Sequence, residues 1–111
     1  MNFFNIEGKN YEEAKKAIED NRTVLETSFA DGDMKAGRYL GILYIMEAAA
    51  RGDITSQVAL GNLYELGSIV DQDNEEAVRW YRAAIAQDHP KRDGTMLAAG
   101  ATKGMARLGR S

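Results

Sequence analysis

The chain has 111 residues, of which 44% are hydrophobic and 28% are charged, and its net charge is −3. These values are typical of a folded single domain and exclude a disordered or fibrous chain. The longest apolar run, residues 39–46, is much shorter than the roughly 20 residues that cross a bilayer. Because the sequence begins without a signal peptide and contains no cysteine, we expect one cytoplasmic domain over residues 1–111, without a membrane partner.

Hydrophobic periodicity predicts that the chain is built from helices. In chain order they lie at about 10–30, 34–50, 54–66, 74–88 and 92–108. The first helix contains a candidate break near Asn21, and Pro90 is expected to end the fourth helix or to start the fifth. No segment shows the two-residue alternation of a strand, so we expect an all-α fold.

Several helix ends carry recognisable local signals. Asn10 with Glu13, and Asp73 with Glu76, have the spacing of a capping box at a helix start. The glycines predicted to end helices in the left-handed conformation are Gly32, Gly52 and Gly67.

Two types of segment recur along the chain. Residues 32–44 and 52–64 are related by a shift of 20 positions, with 6 of 13 residues identical, and a weaker copy begins at Gly100. The start of the first helix, residues 10–14, resembles residues 73–77. Two kinds of helix therefore alternate, which is typical of helical repeat proteins.

A glycine recurs inside the helices of the first type. Gly41 and Gly61 occupy equivalent positions, where glycine costs roughly 1 kcal/mol relative to alanine. This cost predicts a close approach by a neighbouring helix, with an aromatic ring on the glycine. The aromatic residues expected in the core are Tyr39, Tyr44, Tyr64, Trp80 and Tyr81.

The segment 57–84 resembles a Sel-one-like repeat, a relative of the tetratricopeptide repeats. The matching motifs are Leu60-Gly61-x-x-Tyr64-x-x-Gly67, the loop residues Val70 and Asp73, and Ala77-x-x-Trp80-Tyr81. Ile69 and Asp88 stand where this family has glycines. The best-matching unit is 53–88, and 10–52 and 100–111 are partial repeats. The resemblance implies antiparallel helix pairs stacked as a short α/α superhelical repeat domain.

The resemblance also implies a protein-binding adaptor or inhibitor, as in bacterial signalling complexes, with no enzymatic activity, catalytic residue, cofactor or metal. The concave face of such a repeat is lined by the first helix of each pair. The residues expected on that face to bind a protein partner are Lys35, Arg38, Ile42, Ile45, Thr55, Val58, Asn62 and Glu65. Ile42 and Ile45 beside Arg38 would form an apolar patch, or both isoleucines would pack under the first helix.

The charge distribution leaves two alternative functions open. Residues 1–78 hold 15 acidic and 7 basic side chains, a net of −8, whereas residues 79–111 hold 2 acidic and 7 basic, a net of +5. The basic segment 91–111 could bind nucleic acid or the acidic half of a second copy in a homo-oligomer. Its cations are Lys91, Arg92, Lys103, Arg107 and Arg110, and no aromatic residues for base stacking lie between them.

Two patterns that resemble catalytic or metal sites are weak. His89 follows Asp88, but no serine lies in a nucleophile-elbow motif. Residues 71–75 begin like a calcium loop, but Glu76 replaces the required glycine and Arg82 the final glutamate. Helix capping explains these acids more simply. An exposed end of the helical stack is expected to be covered either by the amino-terminal residues Phe3, Phe4 and Ile6 or by self-association with a second copy.

Overall fold

The computed structural model describes residues 4–88 and 96–110, which form six α-helices and no strand. The helices are α1 (Tyr11–Asp20), α2 (Arg22–Ala30), α3 (Met34–Ala50), α4 (Ile54–Leu66), α5 (Asn74–Gln87) and α6 (Ala99–Arg107). The all-α prediction is confirmed, and the break near Asn21 separates α1 from α2. The residues between α5 and α6 that carry His89, Pro90, Lys91 and Arg92 lie outside the described part of the chain.

The last helix begins later than position 92. The turn that leads into it is held by Asp88, whose Oδ1 accepts a hydrogen bond from Leu97 N at 3.2 Å and whose Oδ2 accepts one from Ala98 N at 2.6 Å. The carboxylate therefore satisfies two backbone amides of the turn before α6. Asp88 therefore ends α5 and also fixes the position of α6.

The two predicted capping boxes differ in the structure. Asn10 Oδ1 accepts from Glu13 N at 2.9 Å, and Glu13 Oε1 accepts from Asn10 N at 3.0 Å, so the first box is complete. Asp73 Oδ1 accepts from Glu76 N at 3.1 Å. The Glu76 carboxylate instead pairs with Arg79 at 3.0 Å, which leaves the second box with one of its two bonds.

Glycine ends three of the helices in the predicted way. The φ angles of Gly32, Gly52 and Gly67 are +102°, +96° and +70°. After the first two, Asp33 N donates to Ser28 O at 2.9 Å and Asp53 N donates to Ala48 O at 3.1 Å. The same two aspartates then cap the starts of α3 and α4 through their side chains. Each Gly-Asp pair therefore closes one helix and opens the next.

From α2 to α6, each helix packs against the next one along the chain. α3 packs between α2 and α4, and α4 also packs against α5 and α6. α1 packs on α3, and its Tyr11 ring lies 5.2 Å from the ring of Trp80 on α5. The result is an elongated molecule of 48 × 29 × 19 Å. This packing is consistent with a helical repeat.

The amino-terminal segment covers part of α3. Ile6 is buried, and the Phe4 ring meets the Tyr39 ring edge-on at 5.0 Å. Gly8 N donates to Asp71 Oδ2 at 2.6 Å, which ties the segment to the loop between α4 and α5. Phe3 lies outside the described residues.

Most predicted core aromatics are buried, but Tyr44 is not. Its side chain is 51% exposed and its ring lies 5.5 Å from the Arg22 guanidinium. The equivalent Tyr64 is 2% exposed. The stretch between Gly32 and Gly52 contains only α3 and no second helix corresponding to α5, whereas α5 packs directly on α4, the helix that carries Tyr64.

The two equivalent helical glycines also differ in how closely they are packed. At Gly61, the ring of Tyr81 occupies the space that a Cβ atom would need, as predicted. At Gly41, no ring or other side chain of the described residues beyond its immediate chain neighbours lies within 4 Å of a Cβ position, so the predicted ring contact is wrong there. The Tyr81 ring also lies against Gly104 on α6, which places one aromatic side chain between two helices.

Candidate functional site

A surface cavity of about 380 Å³ lies between the amino-terminal segment, the start of α3 and the loop after α4. We call it the α3 cavity. It is lined by Ile6, Glu7, Lys35, Arg38, Tyr39, Ser68 and Ile69. Two of these residues, Lys35 and Arg38, are among the eight residues predicted to bind a partner.

The start of α3 positions the two cations of the cavity. Asp33 Oδ1 accepts hydrogen bonds from Lys35 N at 3.0 Å and from Ala36 N at 3.2 Å, which fixes the first turn. Ala36 and Tyr39 are buried by the helix packing, and Lys35 and Arg38 remain exposed on the neighbouring face. Lys35 Nζ lies 6.0 Å from the centre of the Tyr39 ring.

Neither Lys35 nor Arg38 forms an ion pair with a residue in the described ranges. One carboxylate, Glu7, lines the same cavity. The cavity therefore has two positive side chains and one negative side chain, and both cations can donate hydrogen bonds to an acidic ligand.

The opposite wall contains a strained residue. Ile69 has a φ angle of +70° and a side chain that is 37% exposed. A left-handed conformation is unfavourable for a β-branched residue, and glycine is the residue that adopts it without cost. Strained backbone positions are concentrated at functional sites. Sequence reasoning did not place Ile69 in a site, although its position at an expected glycine was the signal that could have done so.

The loop around Ile69 is held at both ends. Gly67 closes α4 with its N–H donated to Leu63 O at 2.9 Å, and Asp73 N donates to Tyr64 O at 2.8 Å. Val70 is buried in the core beside Ile69. These contacts fix the left-handed turn, so the Ile69 side chain is presented to the cavity by a well-anchored loop.

The other residues predicted on α3 do not form an open apolar patch. Ile42 is 1% exposed and belongs to the core, and Ile45 is half-buried against the same core. α3 is contacted by α1, α2 and α4, so little of its surface is open at these positions. The predicted patch of Ile42 and Ile45 beside Arg38 is therefore not available as a surface.

On α4, Thr55 is exposed, whereas the other three predicted residues face neighbouring helices. A Cβ atom on Gly100 of α6 would lie 3.2 Å from Val58 Cγ1. The Tyr81 hydroxyl lies 2.6 Å from both Asn62 Oδ1 and Glu65 Oε1. These side chains contribute to the packing of α4 with α5 and α6.

Glu65 forms the main polar link between α4 and α6. Arg107 Nε donates to Glu65 Oε2 at 2.8 Å, and Arg107 Nη2 donates to Glu65 Oε1 at 3.0 Å. The Arg107 guanidinium, assisted by the Tyr81 hydroxyl, holds the pKa of the Glu65 carboxyl below its usual value. This two-bond geometry is the favoured one between arginine and a carboxylate.

The basic segment 91–111 is partly neutralised within the chain. Arg107 pairs with Glu65, and Arg110 pairs with Glu75. Lys103 is exposed, and Lys91 and Arg92 lie outside the described residues. Two of the five cations expected to contact phosphates therefore already have carboxylate partners, which weakens the nucleic-acid alternative.

The acids of the calcium-like motif point to different partners. Asp71 accepts from Gly8 N, Asp73 caps α5, and Glu75 pairs with Arg110. Within residues 4–88 and 96–110, no group of three acids and histidines is arranged to hold a metal ion. In the same ranges, no helix has the length and hydropathy needed to cross a bilayer.

Comparison of the chain with protein-family models, with curated proteins and with solved structures finds no match.

Proposed function

We propose that this protein is a protein-interaction module without enzymatic activity, an adaptor or inhibitor, which binds an acidic segment of a partner in the α3 cavity. The observation that carries this proposal is the position of Lys35 and Arg38, two cations without an ion pair in the described structure, opposite the strained and exposed Ile69.

The fold that we propose for this binding function is a short superhelical repeat. Three helices of the first type, α3, α4 and α6, lie side by side, and α5 packs against both α4 and α6. This order of contacts supports stacked helix pairs related to Sel-one-like repeats. Such proteins typically bind their partners on the surfaces that the stacking creates.

The lining of the α3 cavity specifies the chemistry of the bound segment. Lys35 and Arg38 attract a carboxylate, and Arg38 can receive it with two parallel hydrogen bonds. Ile69 provides an apolar contact beside them. A volume of about 380 Å³ is at the small end of ligand pockets. The expected ligand is an aspartate or glutamate next to one aliphatic side chain in a partner protein.

The conformation of Ile69 supports a binding role for this loop. Glycine would relieve the backbone strain at this position, but it would remove the apolar side chain from the cavity wall. A residue that costs stability where an alternative is available is typical of a surface that contributes to binding.

A display library of random peptides tests the proposal on the intact chain. Selection on the wild type should enrich peptides with an acidic residue beside an aliphatic residue. The double variant Lys35→Glu, Arg38→Glu should lose these peptides, because it reverses both charges at the cavity. Arg51→Glu is the control, since Arg51 is an exposed cation at the far end of α3.

The outcomes are distinct. Loss of the peptides on the double variant and their retention on Arg51→Glu support the proposal. Equal enrichment on the wild type and the double variant overturns it. The far-ultraviolet circular dichroism of all three proteins should be the same, because the substituted side chains are exposed.

A further inference from the structure

A second cavity lies where four helices meet. Its volume is about 490 Å³, and its walls come from the first turns of α1, the end of α3, the start of α4 and the middle and end of α5. We call it the junction cavity. It shares no lining residue with the α3 cavity.

Three cations and one acid line the junction cavity. They are Lys15 of α1, Arg51 at the end of α3, Arg79 of α5 and Glu12 of α1. Neither Lys15 nor Arg51 forms an ion pair with a residue in the described ranges. Because the fold brings positive side chains from three helices to one place, the cavity favours a negatively charged ligand.

Arg79 is held in a fixed position at the wall of the cavity. Its Nη1 donates to Glu76 Oε2 at 3.0 Å, and its guanidinium lies 5.3 Å from the centre of the Tyr11 ring and 5.0 Å from that of Trp80. Glu76 balances the charge of Arg79, so the positive excess comes from the other two cations. A guanidinium has five N–H donors, and those that Glu76 does not use are open to a ligand.

The carboxyl end of α3 also borders the junction cavity, and a bare helix end of this kind would repel an anion. Here the carbonyl of Ala49 accepts hydrogen bonds from Gly52 N at 3.0 Å and from Gln57 Nε2 at 3.1 Å. Gln57 is 4% exposed, and its Oε1 accepts from Gln87 Nε2 at 2.9 Å. A buried amide therefore covers this negative helix end and reduces its repulsion of an anion.

The aromatic wall of the cavity contains a buried donor. Trp80 lines the cavity and is 6% exposed. Its Nε1 is buried and has no hydrogen-bond partner among the residues that the structure describes. Buried donors of this kind are uncommon in folded proteins and typically bind a water molecule or a ligand atom. This second observation also indicates that the cavity binds a group with acceptor oxygens.

We propose that the junction cavity binds a small organic dianion, a molecule with two carboxylates or with a phosphate group. Lys15 and Arg51 match its two negative charges, and Arg79 donates hydrogen bonds to its oxygens. A volume of about 490 Å³ lies within the range of small-molecule sites. The site is separate from the α3 cavity, so this proposal does not rest on the peptide binding proposed above.

The fluorescence of Trp80 tests the proposal on the intact chain, because Trp80 is its only tryptophan. The protein is titrated with succinate and, separately, with inorganic phosphate at slightly alkaline pH and constant ionic strength. At least one of the two should give a saturating change in emission. The same anion should raise the midpoint of thermal unfolding, since it binds the folded chain. The anion that binds more tightly identifies the acidic group.

Variants of the cations locate the binding. Lys15→Gln and Arg51→Gln should each weaken it roughly tenfold, because each removes a charge-assisted contact. Lys16→Gln is the matched control, since it removes the same charge from α1 at a residue that pairs with Asp20 outside the cavity. It should bind the anion like the wild type.

Each outcome decides the proposal. Saturating binding that both cavity variants weaken and Lys16→Gln retains supports it. The absence of a saturating response to both anions, in fluorescence and in the unfolding midpoint, overturns it. Binding that Lys15→Gln and Arg51→Gln leave unchanged, or that Lys16→Gln weakens equally, also overturns it, because the response would then come from another site or from net charge alone.

Discussion

Tyr81 of α5 lies so close to Gly104 of α6 that a Cβ atom on the glycine would overlap the ring. The same ring lies against Gly61 of α4. The hydroxyl of Tyr81 continues the contact by hydrogen bonding to Glu65, which Arg107 of α6 binds in turn. One side chain thus joins three helices, and both glycines are required for it to fit.

Alanine should have opposite effects at the two equivalent helical glycines. Gly61→Ala should lower the free energy of unfolding by about 1–3 kcal/mol, because the new methyl group overlaps the Tyr81 ring. Gly41→Ala should raise it by about 0.5–1 kcal/mol, because the position is open and alanine favours the helix. Urea unfolding of both variants measures this. A change of the same sign at the two positions would contradict the packing described here.

The left-handed conformation of Ile69 should make glycine the more stable residue there. Ile69→Gly removes the steric cost and adds some chain entropy to the unfolded state, for a net gain of about 0.5–1 kcal/mol. Ile69→Val keeps the β-branch and should bring no gain. Thermal unfolding compares the three proteins. The glycine variant should also bind the peptides selected on the wild type more weakly, and a variant that loses stability would show that the backbone is not strained.

The pH dependence of stability should report on the Glu65–Arg107 pair. The pKa of Glu65 is lower in the folded chain than its ordinary 4.5, because Arg107 and Tyr81 bind the charged form. Its stabilising contribution is therefore present above that ordinary value and is lost as the pH falls through the folded pKa. Glu65→Gln should be less stable than the wild type at neutral pH, and the difference should shrink in acid.

Arg107→Gln provides the matched test of this linkage. It removes the main cause of the lowered pKa and should also weaken the dependence of stability on pH. The double variant should show no further change, since the two residues act as one pair. Denaturant unfolding at several pH values measures all four proteins. A difference between Glu65→Gln and the wild type that does not vary with pH would contradict the assignment.

Removing the Asp88 carboxylate should loosen α6 selectively. Asp88→Ala loses both hydrogen bonds to the turn before α6, at a cost of about 1 kcal/mol, and Asp88→Asn should retain part of this interaction. Hydrogen exchange should become faster at Ala101 and Met105 while the amides of α3 keep their protection. Equal loss of protection in both helices would show that α6 does not open independently.

The helices could be predicted from the sequence because their limits depend on local chemistry. The Gly-Asp pairs after α2 and α3 and the capping box at Asn10 bind backbone groups close to them in the sequence. These helix ends could therefore be predicted without knowing the tertiary contacts. The start of α6 was missed because the turn before it is held by Asp88, a residue at the end of another helix.

The candidate site was predictable only in part, for the same reason. Lys35 and Arg38 are exposed because they lie beside the buried face of α3 that carries Ala36 and Tyr39, and not within it. Ile45 and Glu65 occupy equivalent places in the repeat pattern, yet Ile45 packs against the core and Arg107 of α6 binds Glu65. Tyr44 and Tyr64 show that one motif can be exposed or buried according to which helix is packed beside it.

The two Gly-Asp pairs have a consequence for how chains of this design can change in length. Since each pair satisfies the end of one helix and the start of the next with its own atoms, the 20 residues from Asp33 to Gly52 form a self-contained building block. Deleting or duplicating that block would rejoin glycine to aspartate and regenerate the same turn. Loss or gain of a whole helix is therefore a smaller perturbation of the backbone here than loss or gain of a single residue.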